Sequence, residues 1–240
     1  MPQGGILSGK LIGVGLGPGD PELLTLKAMH IIQQAPVLAY TVDDKGSSFA
    51  RQIAAEHIRQ GQVELPLFFS MSPKRSERQQ TRQNAARQVL EVLQQDQDVV
   101  FITEGDPLLY STFQHLLAEM PPQIEFSVCP GISAMFSAAA AAGFPLAIEE
   151  QMVIVAPAGA ARGQIDTWLQ AGNSLVLFKP ARWLTDIAEE IKAANLPCKT
   201  TLVCHASTNE EVILHKLSDW DERKMPYFSI LLIRPLEPHK

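Results

Sequence analysis

Cysteine is scarce in this chain: Cys129, Cys198 and Cys204 are the three in 240 residues, an odd number with no patterned spacing. That excludes a disulfide framework and fits a reducing cytoplasm, where thiols stay reduced. Cys198 and the Cys204-His205 pair match no zinc spacing either, so no structural metal is expected. Aromatic residues make up 7% of the chain, and apolar burial must therefore rest on Leu, Ile, Val and Ala. No apolar run approaches the roughly 18 residues a membrane helix needs; the best, Ala134 to Leu146, is short and Ala-rich. Met1–Ser8 shows no cationic stretch leading into an apolar one, so no secretory leader is expected. Nor is there a basic excess. Net charge is -6, so no whole-chain field would draw in nucleic acid. An anionic ligand would have to be held by local residues.

What the chain does have is an ordinary globular balance, 46% apolar and 19% charged, and length enough for two domains. Short apolar runs alternate with helical spacing through the first half. Strands are expected at 11–16, 37–42, 63–69, 99–103 and 125–128, with helices at 21–34, 48–59, 76–95, 107–119 and 131–142. This alternation means βαβ units and a mostly parallel sheet. Gly143-Phe144-Pro145 breaks the pattern. Beyond it, strands are expected at 152–155, 175–178, 200–204, 211–214 and 228–233, with helices at 164–169 and 183–194. The loop 218–226 has no helical pattern, and antiparallel pairing of the last two strands is expected across it. The domains are placed at 1–147, with a mostly parallel sheet, and 148–240, with a mixed one.

The most informative stretch is Gly13-Val14-Gly15-Leu16-Gly17-Pro18-Gly19-Asp20-Pro21. A first βα turn of this kind lets backbone approach a ligand at the carboxyl edge of a sheet. It fails the dinucleotide fingerprint G-x-G-x-x-G, since the sixth position is Pro18 counted from Gly13 and Asp20 counted from Gly15. Charge agrees with that failure. A diphosphate needs a helix N-terminus free of anions, whereas Asp20 reads as an N-cap, Pro21 as the first helical residue and Glu22 as part of the first turn. Two carboxylates repel a diphosphate and tolerate a cation. The solution recurs in Thr103-Glu104-Gly105-Asp106-Pro107, and a third turn is Cys129-Pro130-Gly131-Ile132-Ser133. All three follow expected parallel strands, which puts them along one edge.

These strings, with Leu108-Leu109-Tyr110-Ser111-Thr112 after the second and Pro226-Tyr227-Phe228-Ser229 near the end, resemble the tetrapyrrole (corrin/porphyrin) methylase family, the class III S-adenosylmethionine-dependent methyltransferases. The likeness spans about residues 9–235. Thr-Glu before Gly-Asp-Pro, and Tyr-Ser-Thr after it, is similar to the branch that methylates C20 of precorrin-2 or cobalt-factor II. Phe69-Ser70-Met71 departs from that branch, which tends to read Phe-Pro-Met.

The resemblance implies a class III methyltransferase-like α/β fold of two domains, with the cofactor in the cleft between them, usually in a homodimer. It implies S-adenosyl-L-methionine as cofactor, released as S-adenosyl-L-homocysteine, and a cytoplasmic enzyme of cobalamin biosynthesis. By motif position, Pro18, Glu104, Gly105, Asp106 and Leu109 would line the cofactor site, joined by Ser133 and Ala134. From the second domain the matching positions are Lys179, Cys204, Pro226, Tyr227 and Phe228.

Methyl transfer from a sulfonium needs alignment, exclusion of water and a destination for one proton. The C20 carbon of a reduced macrocycle is itself nucleophilic, so a base serves only afterward. Glu104 and Tyr110 are the catalytic candidates, with Asp43 and Asp44 at a strand end as further carboxylates. A carboxylate-rich substrate calls for cations. Arg75, Arg78 and Arg82 fall at i, i+3 and i+7 on one helical face, and with Asp43 they are the expected substrate contacts. A solvated helix face would look the same. Another tetrapyrrole methyltransferase, acting at a different ring position or on uroporphyrinogen III, is the alternative. A nicotinamide-dependent reductase and a non-catalytic tetrapyrrole carrier are remote ones.

Overall fold

The first-half apolar runs form five parallel strands in a computed structural model that describes residues 9–221 and 223–236. The reading of Met1–Ser8 lies outside the described residues. In chain order the elements are β1 (Leu11–Gly15), α1 (Leu26–Gln34), β2 (Val37–Val42), α2 (Phe49–Ala54) and β3 (Val63–Phe68). They continue with α3 (Arg75–Leu93), β4 (Val99–Thr103), α4 (Thr112–Leu117) and β5 (Phe126–Cys129). The sheet order is β3-β2-β4-β1-β5.

Helices cover both faces of this sheet. Ile32 of α1 and Ile53 of α2 pack with Val14, Leu38 and Ile102 on one side. Val89 of α3 and Phe113 of α4 pack with Leu11, Ala39 and Phe101 on the other. Burial on both sides is why β1 and β4 read as continuous apolar runs rather than alternating ones. Because β4, β1 and β5 are neighbours, the three glycine turns that follow them lie side by side at the carboxyl edge.

Two helices start later than their caps imply. Asp20 caps only a short 3-10 turn, accepting from Glu22 N at 2.9 Å. α1 then begins under Thr25, whose hydroxyl accepts from Ala28 N at 3.1 Å. The helix expected from Pro107 begins instead at Thr112 under Ser111. Tyr110 sits at φ 52°, in the left-handed region, which no continuous helix can cross.

The second unit carries α5 (Ala134–Ala141), β6 (Val153–Pro157), α6 (Ala158–Ala161), α7 (Ile165–Gln170) and β7 (Ser174–Phe178). It ends with α8 (Leu184–Ala193), β8 (Cys198–Cys204), β9 (Val212–Leu214) and β10 (Ser229–Pro235). Its sheet is mixed, in the order β6-β7-β10-β8-β9. The expected pairing of β9 with β10 does not occur. β10 runs antiparallel to both β7 and β8, and β9 pairs with β8. Ile230-Leu231-Leu232-Ile233 is buried throughout and so needs a neighbour on each side, whereas half-exposed Val212 suits an edge.

Packing divides the chain between Ser133 and Ala134, ahead of the 147/148 boundary expected from the Gly-Phe-Pro break. The reason is α5. Its Ala138 packs with Phe144 against Val176, Val203, Ile230 and Leu232 of the second sheet. Among the described residues, no helix is long and apolar enough to cross a membrane.

Candidate active site at a glycine-lined sheet edge

Backbone holds the three turns together. Leu16 N donates to Thr103 O at 2.9 Å, and Gly17 and Gly105 exchange a pair of bonds, 3.3 Å from Gly17 N and 2.7 Å from Gly105 N. One side chain joins the second turn to the third: Asp106 accepts from Leu108 N through Oδ1 at 2.9 Å and from Gly131 N through Oδ2 at 3.1 Å. The glycines serve two needs. A Cβ on Gly15 would stand 2.5 Å from both Gly105 O and Gly131 N, so the turns could not close on one another. Gly105 sits at φ 64°, and a Cβ there would meet nothing within 4 Å. Its outer side faces open space, where a ligand can approach bare backbone.

Electrostatics sets the sign of that ligand. Asp20, Glu22, Glu104 and Asp106 bring four carboxylates to the first two turns, and no Lys or Arg occurs between residues 11 and 26 or between 99 and 114. Carboxylates at these turns disfavour a diphosphate and tolerate a cation such as a sulfonium. Pro18 and Ser133 are buried at this edge, and Glu104 and Leu109 are half-buried. The neck of the second turn is closed by the buried Thr103 and Ser111 hydroxyls, 3.1 Å apart. Beyond it the chain turns back through Tyr110, whose left-handed backbone costs an aromatic residue about 1–3 kcal/mol. Leu108 and Tyr110 are left exposed there.

Comparison with known proteins decides the family. The model of the Tetrapyrrole (Corrin/Porphyrin) Methylases matches residues 10–220. The chain belongs to this family. The methylase is 30% identical over 237 residues to a precorrin-2 C(20)-methyltransferase of a Sinorhizobium species, covering 95% of this chain and 96% of that one. It is 30% identical to the cobalt-precorrin-2 C(20)-methyltransferase of Salmonella typhimurium, covering 95% and 97%. A cobalamin biosynthesis protein CobIJ of Mycobacterium bovis is 32% identical over 94% of this chain, which spans only 46% of that protein. In fold the methylase is similar to a cobalt precorrin-4 methyltransferase, CbiF (TM-score 0.72, 23% identity, 94% of each chain). It is also similar to a Thermus thermophilus uroporphyrin-III C-methyltransferase solved with S-adenosyl homocysteine (TM-score 0.64, 22% identity, 94% and 97% covered).

The remaining expected site residues of the methylase fall in three places. Arg75, Arg78 and Arg82 lie in the first half of α3, but Arg78 is committed elsewhere: its Nη1 donates to Ser72 O at 2.6 Å and Pro73 O at 2.7 Å. Asp43 folds its own turn after β2, accepting from Lys45 N at 2.9 Å and Ser47 N at 2.8 Å. In the second unit, Lys179, Cys204 and Pro226–Phe228 gather at one end of the sheet, where β7 and β8 end and β10 begins. Lys179 Nζ lies 4.7 Å from the Tyr227 ring centroid, and Phe228 meets both Tyr227 and His205. Cys204 is buried beside Met225, and burial pushes its thiol up, which keeps it neutral. Ala134 opens α5 directly after Ser133. Among the described residues, no group of three or more His, Cys, Asp or Glu side chains could hold a metal ion.

Sequence reasoning missed the Thr103–Ser111 hydroxyl pair and a second network. Glu64 of β3 takes Arg51 Nε at 2.6 Å, Arg51 Nη2 at 2.9 Å and the Tyr40 hydroxyl at 2.7 Å. Only the spacing of the caps hinted at the first. Nothing local marks the second, whose partners come from β2, α2 and β3.

Proposed function

We propose that this methylase transfers a methyl group from S-adenosylmethionine to C20 of precorrin-2 or its cobalt-bearing counterpart. The observation that carries the donor assignment is the glycine edge: three interlocked turns, bare backbone at Gly105, and carboxylates from Asp20, Glu22, Glu104 and Asp106. The C20 assignment is supported by two full-length relatives whose names carry that position. S-adenosylmethionine bound there would supply an electrophilic methyl group with a neutral thioether as leaving group.

The chain's own residues have separable tasks. Gly105 and Pro18 would give the donor backbone to lie against, with Leu109 and Ser133 as further contacts from the same unit. Asp106 holds the second and third turns in register, so its loss would loosen the edge. Glu104 and Tyr110, on the same turn, are the residues that would accept the proton released from C20. Methylation at another ring position is the second reading, favoured by the likeness in fold to a cobalt precorrin-4 methyltransferase. A homodimer in the cytoplasm is part of the proposal, and sedimentation would test the dimer. The deciding experiment incubates the protein with S-adenosylmethionine and either precorrin-2 or cobalt-factor II, then locates the new methyl by NMR. A C20 methyl supports the assignment, and a methyl elsewhere on the ring selects the second reading. No donor binding by calorimetry overturns both.

A further inference from the structure

The segment after β3 is fastened more firmly than an exposed loop of its length requires. Phe69 packs against the core formed by Leu67, Ala85 and Val89. Ser70 N donates to Thr81 Oγ1 at 3.1 Å, Ser72 N to Ser70 Oγ at 3.1 Å, and Lys74 N to Ser72 Oγ at 3.2 Å. Arg78 grips the next two carbonyls, Ser72 O and Pro73 O, through one nitrogen. The Thr81 hydroxyl in turn donates to Arg78 O at 3.0 Å, so the two anchors are linked through α3.

What this clamp presents is Met71, 75% exposed, beside the half-exposed Phe68. A lone exposed methionine needs no explanation. A clamped loop that holds one out at the carboxyl edge of a sheet does, because that is the edge bearing the glycine turns. β3 lies two strands from β4 and three from β1, roughly 10 and 14 Å at ordinary strand spacing. A tetrapyrrole with its side chains is wide enough to bridge such a span.

We infer that residues 70–74 form a pre-fastened recognition loop for the tetrapyrrole, in which Met71 meets the apolar ring face and Arg78 and Thr81 are positioning residues. The inference rests on the function proposed above. A loop ordered before binding loses less entropy when the substrate arrives. Methionine, unbranched and polarizable, adapts to an irregular conjugated surface. Arg78 therefore acts through backbone rather than by gripping a carboxylate, and Arg75 and Arg82 remain for that task.

The test uses full-length Met71→Ala, Arg78→Ala, their double variant, Thr81→Ser and Thr81→Val. Met71→Ala and Arg78→Ala should each raise the tetrapyrrole KM roughly tenfold, the order expected for one apolar contact. Turnover at saturation and calorimetric affinity for S-adenosylmethionine should stay unchanged. The double variant should be no worse than Arg78→Ala alone, since Arg78 acts by placing Met71. Thr81→Ser should behave as wild type and Thr81→Val should not. An unaltered KM in Met71→Ala, an additive double variant, or equal damage from both Thr81 changes overturns the loop. Met71 is exposed, so Met71→Ala folds whatever the loop does. If the wild-type protein binds and turns over no tetrapyrrole, the function falls and takes the loop with it. Turnover by wild type with indifferent variants removes the loop alone.

Discussion

Gly15→Ala is the sharpest probe of the glycine edge. The added methyl would stand 2.5 Å from Gly105 O, 2.5 Å from Gly131 N and 2.7 Å from Gly131 Cα, all of them backbone. No side chain can swing away, so the turns must part, and overpacking of this kind costs about 1–3 kcal/mol. For a chain of this size each kcal/mol lowers the melting midpoint by roughly 2–4 °C, so a fall of several degrees is expected. Parting the turns would also weaken the Gly17–Gly105 bonds and the Asp106–Gly131 tie, and donor affinity should drop in parallel. Gly105→Ala is the matched control. Its methyl meets open space, so only the left-handed backbone is penalised, by roughly 1–2 kcal/mol, while the side from which a donor would approach is obstructed. Differential scanning and calorimetric titration with S-adenosylmethionine should separate the two: Gly15→Ala loses stability and affinity together, and Gly105→Ala loses affinity out of proportion to stability. Normal melting and normal donor binding in Gly15→Ala would refute the close packing of the turns.

Three further outcomes are expected. Arg51 above all, and then the Tyr40 hydroxyl, holds Glu64 below the usual carboxylate range, and burial with Glu64 nearby raises the Tyr40 phenol. The carboxylate's contribution is complete above the ordinary Glu value of about 4.3 and fades as pH falls through its lowered pKa. The phenol's contribution is complete below about 10 and fades as pH rises through its raised pKa. Glu64→Gln should therefore flatten the acid limb of a stability–pH curve and Tyr40→Phe the alkaline limb, and unchanged limbs in urea titrations would dismiss the network. Phe144→Ala empties a site that is 3% exposed, between Lys199 and Arg234 and under α5; it should cost about 3–5 kcal/mol, with hydrogen exchange quickening in α5 and β10. Charge reversal at Arg75 and Arg82 should raise the tetrapyrrole KM and spare donor affinity, and an unmoved KM assigns that face to solvent.

Much of the fold was legible because β1, β4 and β10 are apolar runs bounded by breakers, and their positions need no distant partner. The shared edge of the glycine turns followed from parallel order alone. Helix starts were less legible. Asp106-Pro107 has the chemistry of a cap and first turn, yet Asp106 spans to Gly131, and the left-handed Tyr110 delays α4 to Thr112. The place of β10 was hidden because pairing with β7 and β8 depends on residues far away in sequence. An alanine-rich helix such as α5, with Ser137 its one polar residue, carries no face that names the sheet it covers. Arg78 looked like a ligand for carboxylates because its true partners, two carbonyls, leave no trace in side-chain patterns.

The position of β10 governs how the second unit can assemble. Without it, β6 and β7 make one pair and β8 and β9 another, with nothing in the sheet to join them. On the ribosome the five-stranded first unit has all its strands long before Ser229 emerges, whereas the later sheet waits for a keystone made after all its other strands. Truncation just before that strand would strand two half-sheets with open edges, prone to association with other chains.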